Sequence, residues 1–375
     1  MSRRRVLAAA TVVGLVLGVV GVLVARSAWE PRGPSPRAEI LEVAAAANNQ
    51  LMVWRVGSAT SGAAAQDVRH AVLLRRAPPE QPREADVWHV GHMLDDAVRM
   101  DERSFLSEGI IDIRGTIRPA KAKAQQPVAA HTVASYDADP WEYSATFYNR
   151  GAAADVSRLE SGLLTPDLLA TKTVRHVTAD ASTTDTYGSS FGLREQACQV
   201  SEIEGEWRTF ALRGAAAGSL RLHDFEFVGT VDRPDGNRSQ ARGVGTFVLD
   251  PGTCKLEMTV WGRAPRPFEV WLRPDLGVGL AAILAPTGGV SGLSLWIRPA
   301  AGVELQDLEG EWTELHAARA TQRLVSIDAN GAIHGRNHHG LLTAQADGAI
   351  TGWMDLPPQP PLRRIVRPGR VAASR

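Results

Sequence analysis

The sequence predicts an N-terminal transmembrane helix, a small α+β unit, and then a mainly antiparallel β region carrying two repeated Gly-x-Trp β modules. Three observations predict it. Residues 6–25 form an uncharged apolar run, residues 38–118 mix helical with alternating periodicity, and Ile203-Glu-Gly-Glu-Trp207 returns as Leu308-Glu-Gly-Glu-Trp312 among alternating segments.

The apolar run, VLAAATVVGLVLGVVGVLVA, is 20 residues long. As a helix it would extend about 30 Å, the thickness of a bilayer's hydrocarbon core. Arg3, Arg4 and Arg5 stand directly before it, so the positive-inside rule makes residues 1–5 a cytoplasmic stub and exports the rest. The expected location is the inner (cytoplasmic) membrane, crossed once, with the bulk periplasmic or extracellular and residues 6–25 contacting the lipid bilayer. The alternative is a cleavable signal peptide cut near Ala25-Arg26-Ser27, although such peptides have an apolar core of only about 7–15 residues. Gly14 and Gly18 have the spacing of a helix-dimer face. No cysteine lies near the segment to carry a lipid.

Residues 26–37 read as a Pro-rich stalk. In the expected α+β unit, 38–118, Ile40 to Ala47 suits a short helix, while Leu51 to Val56 and Val68 to Leu74 suit strands. Val87, Val90, Leu94 and Val98 recur at helical spacing, whereas Ile111, Ile113 and Ile117 alternate with Asp112, Arg114 and Thr116. Residues 119–132 lack large apolar side chains apart from one Val and read as a linker. Residues 133–300 read as a β domain containing the first Gly-x-Trp module, with Trp141, Tyr143, Ala145 and Phe147 alternating with Glu142, Ser144 and Thr146, and one short helix at 167–171 after Thr165-Pro166. Residues 301–356 hold the second module. Residues 357–375 form a Pro-rich tail with five Arg and no acid.

Formal charge is zero over the whole chain. Residues 1–37 carry six Arg and one acid, which with the tail leaves 30 basic against 40 acidic residues between. An acidic middle repels phosphates, so nucleic acid is not an expected partner. The basic tail suits anionic lipid, cell-wall polymer or the protein's own acidic surface.

Cys198 and Cys254 are the two cysteines. An oxidising compartment favours a disulfide between them, worth roughly 4 kcal/mol in the chain-entropy model; the alternative is two buried thiols.

The repeat extends past the pentapeptide. Leu220, Leu222, Phe225, Phe227 and Gly229 follow the first copy, and Val325, Ile327, Ile333 and Gly335 follow the second. Each copy reads as a Gly-x-Trp strand and a hairpin closing on glycine. A glycine two residues before an indole starts a sharply twisted strand whose Trp closes a small barrel. Gly205-x-Trp207 and Gly310-x-Trp312 resemble the opening motif of lipocalins, and Asp328-x-x-Gly331-x-Ile333-x-Gly335 resembles a hairpin of small exported bacterial β-barrel proteins. The resemblance covers about 30 residues per copy and implies barrel folds with an apolar cavity. Only 63 residues follow Trp312, too few for an eight-stranded lipocalin.

Candidate chemistry is sparse. Gly188-Ser189-Ser190-Phe191-Gly192 fits a nucleophile-elbow pattern at Ser190, but the polar run before it is not a buried strand, so a Gly/Ser turn is expected. His334, His338 and His339, with His316 upstream, fall in a predicted hairpin and not on one helical face. His92 and Asp96 would share a face if 87–98 were helical, with His89 and Asp95 beside them. No cofactor, metal or catalytic residue is predicted. Ten Trp suit core positions or, if exposed, a carbohydrate groove. The expected function is a non-enzymatic binding or scaffolding role in the envelope, with envelope proteins or cell-wall polymer as partners. A carrier of a small apolar ligand is the first alternative and a serine hydrolase using Ser190 the second.

Overall fold

The computed structural model describes residues 37–58, 68–76, 82–95, 97–106, 109–119, 128–139, 142–150, 155–179, 182–214, 216–232, 243–261, 267–285, 289–316, 321–336 and 338–355. The expected anchor (6–25), its Gly14/Gly18 face, the stalk up to residue 36, Trp141 and the tail lie outside them, and Arg37, the last residue of the expected stalk, opens a strand. Among the described residues no helix is long and apolar enough to cross a membrane.

The described residues form 24 strands that close into three eight-stranded antiparallel barrels. The first barrel begins with β1 (Arg37–Ala45), β2 (Leu51–Ser58) and β3 (Arg69–Arg75), and the chain then leaves it. A middle barrel follows: β4 (Val87–Leu94), β5 (Ala97–Phe105), β6 (Ile110–Pro119), β7 (Val128–Asp139), β8 (Glu142–Arg150), β9 (Asp155–Leu164), β10 (Leu168–Ala179) and β11 (Ser182–Arg194). After a helical turn, α1 (Val200–Ile203), comes the third: β12 (Gly205–Ala211), β13 (Ala217–His223), β14 (Glu226–Asp232), β15 (Gly243–Asp250), β16 (Lys255–Val260), β17 (Pro267–Arg273), β18 (Val278–Leu284) and β19 (Val290–Ile297). A 3-10 turn at Leu305–Leu308 leads into β20 (Gly310–His316), β21 (Thr321–Ile327), β22 (Ala332–Gly335), β23 (His338–Ala344) and β24 (Ile350–Asp355). β20 pairs with β3, and β24 with β1, so the last five strands complete the first three.

This closure answers the shortage of residues after Trp312. Taken round the ring from β20 through β24 to β1 and β3, the first barrel has the strand order that β12 to β19 have in the third. It is a circularly permuted copy. In both, the Trp ladder is the same: Trp207 faces Leu220, which faces Gly229, and Trp312 faces Val325, which faces Gly335. The indole N–H of Trp207 donates to the Ile203 carbonyl at 3.0 Å, and that of Trp312 to Leu308 at 2.9 Å. Arg298 lies over Trp207 at 4.6 Å and Arg75 over Trp312 at 4.7 Å. Trp88 is the corresponding residue of the middle barrel, facing Arg194 at the end of β11. There Asp86 stands where the other copies have glycine, which hid this third copy in the sequence.

Four apolar cores hold the molecule. Three fill the barrels, around Trp54 and Trp312, around Trp88 and Phe105, and around Trp207 and Trp296. The fourth lies where the barrels meet, built from Leu51, Val72, Met100, Phe191, Leu280 and Leu295 with their neighbours. Ion pairs flank it: Arg208 reaches Glu42 of the first barrel at 2.8 Å, and Arg273 reaches Asp167 of the middle barrel at 2.7 Å. Cys198 and Cys254 are bridged, with Cα atoms 5.1 Å apart, tying the chain before α1 to the β15–β16 turn.

Several expectations are corrected by this shared core. Among the described residues there is no α+β unit: Ile40 to Ala45 lies in β1, residues 87–94 and 97–105 are β4 and β5, and Leu168 opens β10. β4 is buried on both faces, one inside its barrel and one against its neighbours, so alternation vanishes and helical spacing arises by coincidence. In β1 a bulge between Ile40 and Glu42 breaks the alternation. Thr165 makes a turn, its Oγ1 accepting from the Leu168 amide at 2.9 Å. Residues 38–118 therefore divide between two barrels, and 301–356 is not a module by itself. The described parts of the expected linker, Pro119 and residues 128–132, belong to β6 and β7 of one barrel. The alternations at Ile111 and Ile113 and at Tyr143, Ala145 and Phe147 are strands with those side chains buried.

Candidate functional site

The interior of the middle barrel is divided into two layers. Trp88, Val90, Phe105, Ile111, Ile113, Leu164 and Leu169 make an apolar layer at one end. Toward the β4–β5 turn the same inward faces carry His92, Arg99, Asp101, Arg103, Arg158, Glu160, Thr171, Thr173 and Ser190, all buried. Cross-strand pairing sets them level: His92 faces Arg99 and Ser190, and Thr173 faces Glu160. Where the two repeat barrels place Leu220 and Val325 opposite their Trp, this barrel places Arg103 opposite Trp88. That exchange puts a guanidinium in the core.

Each charge is met by others. Arg103 donates twice to Glu160, at 2.8 and 3.0 Å, and Arg158 Nε lies 3.2 Å from the same carboxylate. Asp101 accepts from Arg99 Nε and, at 3.2 Å, from Arg158 Nη2. The ring of Phe147 underlies the guanidinium groups of Arg158 at 4.2 Å and Arg103 at 5.0 Å. Burial pushes both carboxyls upward, but the cations outweigh it. Glu160 is held down at about 2, chiefly by Arg103 and Arg158, and Asp101 well below the usual carboxylate range by Arg99, His92 and Arg158. Burial, then Arg158, lowers His92 to about 4 despite Asp101, so its imidazole is neutral at pH 7. Burial lowers Arg158 to about 10, with Arg99 contributing.

His92 links a hydroxyl to a carboxylate. Its Nε2 is 2.8 Å from Asp101 Oδ2 and its Nδ1 2.5 Å from Ser190 Oγ, which is 2.7 Å from Thr173 Oγ1. Nε2 also lies 2.9 Å from Arg103 Nη2, and one nitrogen cannot both donate to Asp101 and accept from Arg103. An ionised carboxylate opposite a nitrogen lone pair is repulsive, so Nε2 carries the proton and Nδ1 accepts from Ser190. Arg103 keeps its bonds to Glu160.

The three residues thus have the distances of a nucleophile, base and carboxylate. Two features distinguish them from the working arrangement: Ser190 sits on Nδ1 with Asp101 on Nε2, and all three side chains are sealed from solvent. Ser190 lies inside β11, paired on both sides with β4 and β10; neither the turn expected of Gly188 to Gly192 nor an elbow forms. Sequence reasoning missed Asp101 and its cationic partners. The signal was the alternation of Arg99, Asp101 and Arg103 with Val98 and Met100. A two-faced strand normally turns its charges outward. Here the apolar face packs against the neighbouring barrels and the charges turn in.

The other candidates do not converge. His89 points away from His92, donates from Nε2 to Glu195 at 2.8 Å and stacks on Trp271 at 4.9 Å. Asp96 lies outside the described residues. His334 and His339 face each other across β22 and β23 with rings 6.3 Å apart, and His316 lies 3.2 Å from buried Glu314. Among the described residues, the group whose ligand atoms come together is the largely exposed Glu204, His223 and Asp224. Trp271 and Trp296 are buried, whereas Trp261 is exposed.

A void of about 10 Å³ lies between the barrels, bounded by Leu51, Leu74, Leu168, Phe191, Leu280 and Leu295. It has room for about one water molecule.

No protein-family model, curated protein or solved structure matches the chain.

Proposed function

We propose that this is a single-pass envelope protein whose three-barrel head is a rigid, non-enzymatic platform for binding or scaffolding. The observation that carries this reading is that, among the described residues, each barrel encloses an apolar core of its own side chains, Trp54 with Trp312, Trp88 with Phe105, and Trp207 with Trp296. Binding then falls to the outer surface and the barrel ends. The anchor at 6–25 supports the location, and the acidic middle makes nucleic acid an unsuitable partner. The Gly-x-Trp starts of β12 and β20, each in an eight-stranded antiparallel barrel, support a lipocalin-like reading of these modules. Their packed interiors speak against the apolar-ligand carrier, and the sealed Ser190 against the hydrolase.

Two measurements test the proposal. Deleting residues 6–25 should move the protein from the membrane pellet to the soluble fraction; retention in the pellet would remove the anchor. An environment-sensitive apolar fluorophore should show no saturable, one-per-chain binding to the folded protein. Stoichiometric binding would restore the carrier.

A further inference from the structure

Among the described residues, the polar layer of the middle barrel holds more cations than anions. Arg99, Arg103 and Arg158 are buried there against Asp101 and Glu160. Both carboxylates are already engaged, Glu160 by Arg103 and Arg158, and Asp101 by Arg99, His92 and Arg158. Arg99 meets Asp101 through its Nε. Its Nη2 is buried without a hydrogen-bond partner, although its side chain is only 10% exposed. An unmatched buried guanidinium nitrogen costs free energy that a bound anion would recover.

Position adds to the argument. Arg99 stands two residues into β5 beyond Ala97, beside the β4–β5 turn, and Arg158 stands early in β9 at the same end of the barrel. Arg175, in register with Arg158 on β10, places a further guanidinium on that face. The fork of an arginine matches the two oxygens of a carboxylate or phosphate.

We propose that the β4–β5 end of the middle barrel is an oxyanion-binding site, in which Arg99, backed by Arg158, holds a carboxylate or phosphate group. This deepens the platform reading and rests on it: a head whose barrels are filled would take a ligand at a barrel end. The oxyanion is either a small free anion or the headgroup of a larger molecule.

The test is calorimetric titration of the full chain in detergent micelles with inorganic phosphate, acetate or glycerol phosphate. Ionic strength is held constant with chloride. Saturable binding at one site per chain is expected for at least one of them; phosphate or acetate would identify a free ion, and glycerol phosphate alone a headgroup. Arg99→Gln should weaken binding by about tenfold or more, the scale of a charge-assisted bond. Arg114→Gln, at an exposed side chain, should leave it unchanged. Circular dichroism checks folding, and Arg99→Lys, which keeps charge but loses the fork, should bind more weakly than the parent if Arg99→Gln unfolds. Absence of saturable binding for all three anions, or equal affinity in the folded Arg99 variants, would overturn the proposal. Membrane association of the chain is unaffected by either result, so the two readings fail separately.

Discussion

Arg37 opens β1 and Asp355 closes β24, and the two residues face each other in register with their side chains 3.5 Å apart. Arg37 also lies over the ring of Trp353 at 4.3 Å. The two ends of the described chain therefore seal the first barrel, and every residue between 76 and 309 is inserted into it.

That seal predicts a sharp boundary for truncation. Removing residues 357–375 should leave the thermal unfolding curve unchanged. Removing 350–375 deletes β24 and leaves β1 and β23 with open edges, so cooperative unfolding of the first barrel should be lost and aggregation should increase. Circular dichroism melts with limited proteolysis distinguish the cases. Equal melts for both truncations would mean that β24 does not close the barrel.

Gly205 has φ of +122° and Gly310 of +144°, at the start of the strands that carry Trp207 and Trp312. Nothing lies within 4 Å of a Cβ added at Gly205, so Gly205→Ala isolates backbone strain from crowding. Such strain costs of order 1–3 kcal/mol. Urea denaturation should show a loss in that range, and a stability equal to the parent would assign the glycine no conformational role.

Reducing the Cys198–Cys254 bridge should destabilise the third barrel by roughly 4 kcal/mol in the chain-entropy model. Urea curves with and without reductant measure this. The Cys198→Ser/Cys254→Ser variant should coincide with the reduced protein and be indifferent to reductant.

The buried layer predicts a marked acid sensitivity. His92 is lowered from 6.5 to about 4 and Glu160 from 4.5 to about 2, so the unfolded chain binds protons more readily at both positions. Each contributes about 3 kcal/mol of stability that is present above its unfolded value and lost as pH falls toward its folded one. Stability should decline from about pH 6.5 to 4 through His92, then from about 4.5 to 2 through Glu160. His92→Gln should flatten the upper part of that profile in denaturation followed across pH. A profile unchanged by the substitution would refute the assignment.

Ser190→Ala removes a hydroxyl that serves both His92 and Thr173 inside the barrel. A loss of about 1–3 kcal/mol is expected. Ester hydrolysis should be at background in both proteins. A parent rate above background that the substitution abolishes would instead make the relay an active site.

How far the fold was legible depended on where each strand sits. Tyr143, Ala145 and Phe147 show their strand plainly because one face of β8 is open and the other buried. β3 and β4 line the junction of the three barrels and are buried nearly throughout, so period two is absent from their residues. The relay was hidden for a related reason. Arg99, Asp101 and Arg103 form a clear charged face, but which face turns inward depends on Val98 and Met100 finding an apolar neighbour outside the barrel.

By itself the sequence determined the repeat, the places of Trp207 and Trp312, the antiparallel β character beyond residue 133, and the spacing that lets two cysteines meet. These are local patterns, set by side-chain alternation and turn residues within a few positions. Only the tertiary structure decided that β20 to β24 take β1 to β3 as their missing strands, that a third barrel matches the other two, and that Ser190, His92 and Asp101 meet. Those outcomes depend on hydrogen bonds and apolar burial between residues far apart in the chain, and their partners are set by closure of the rings.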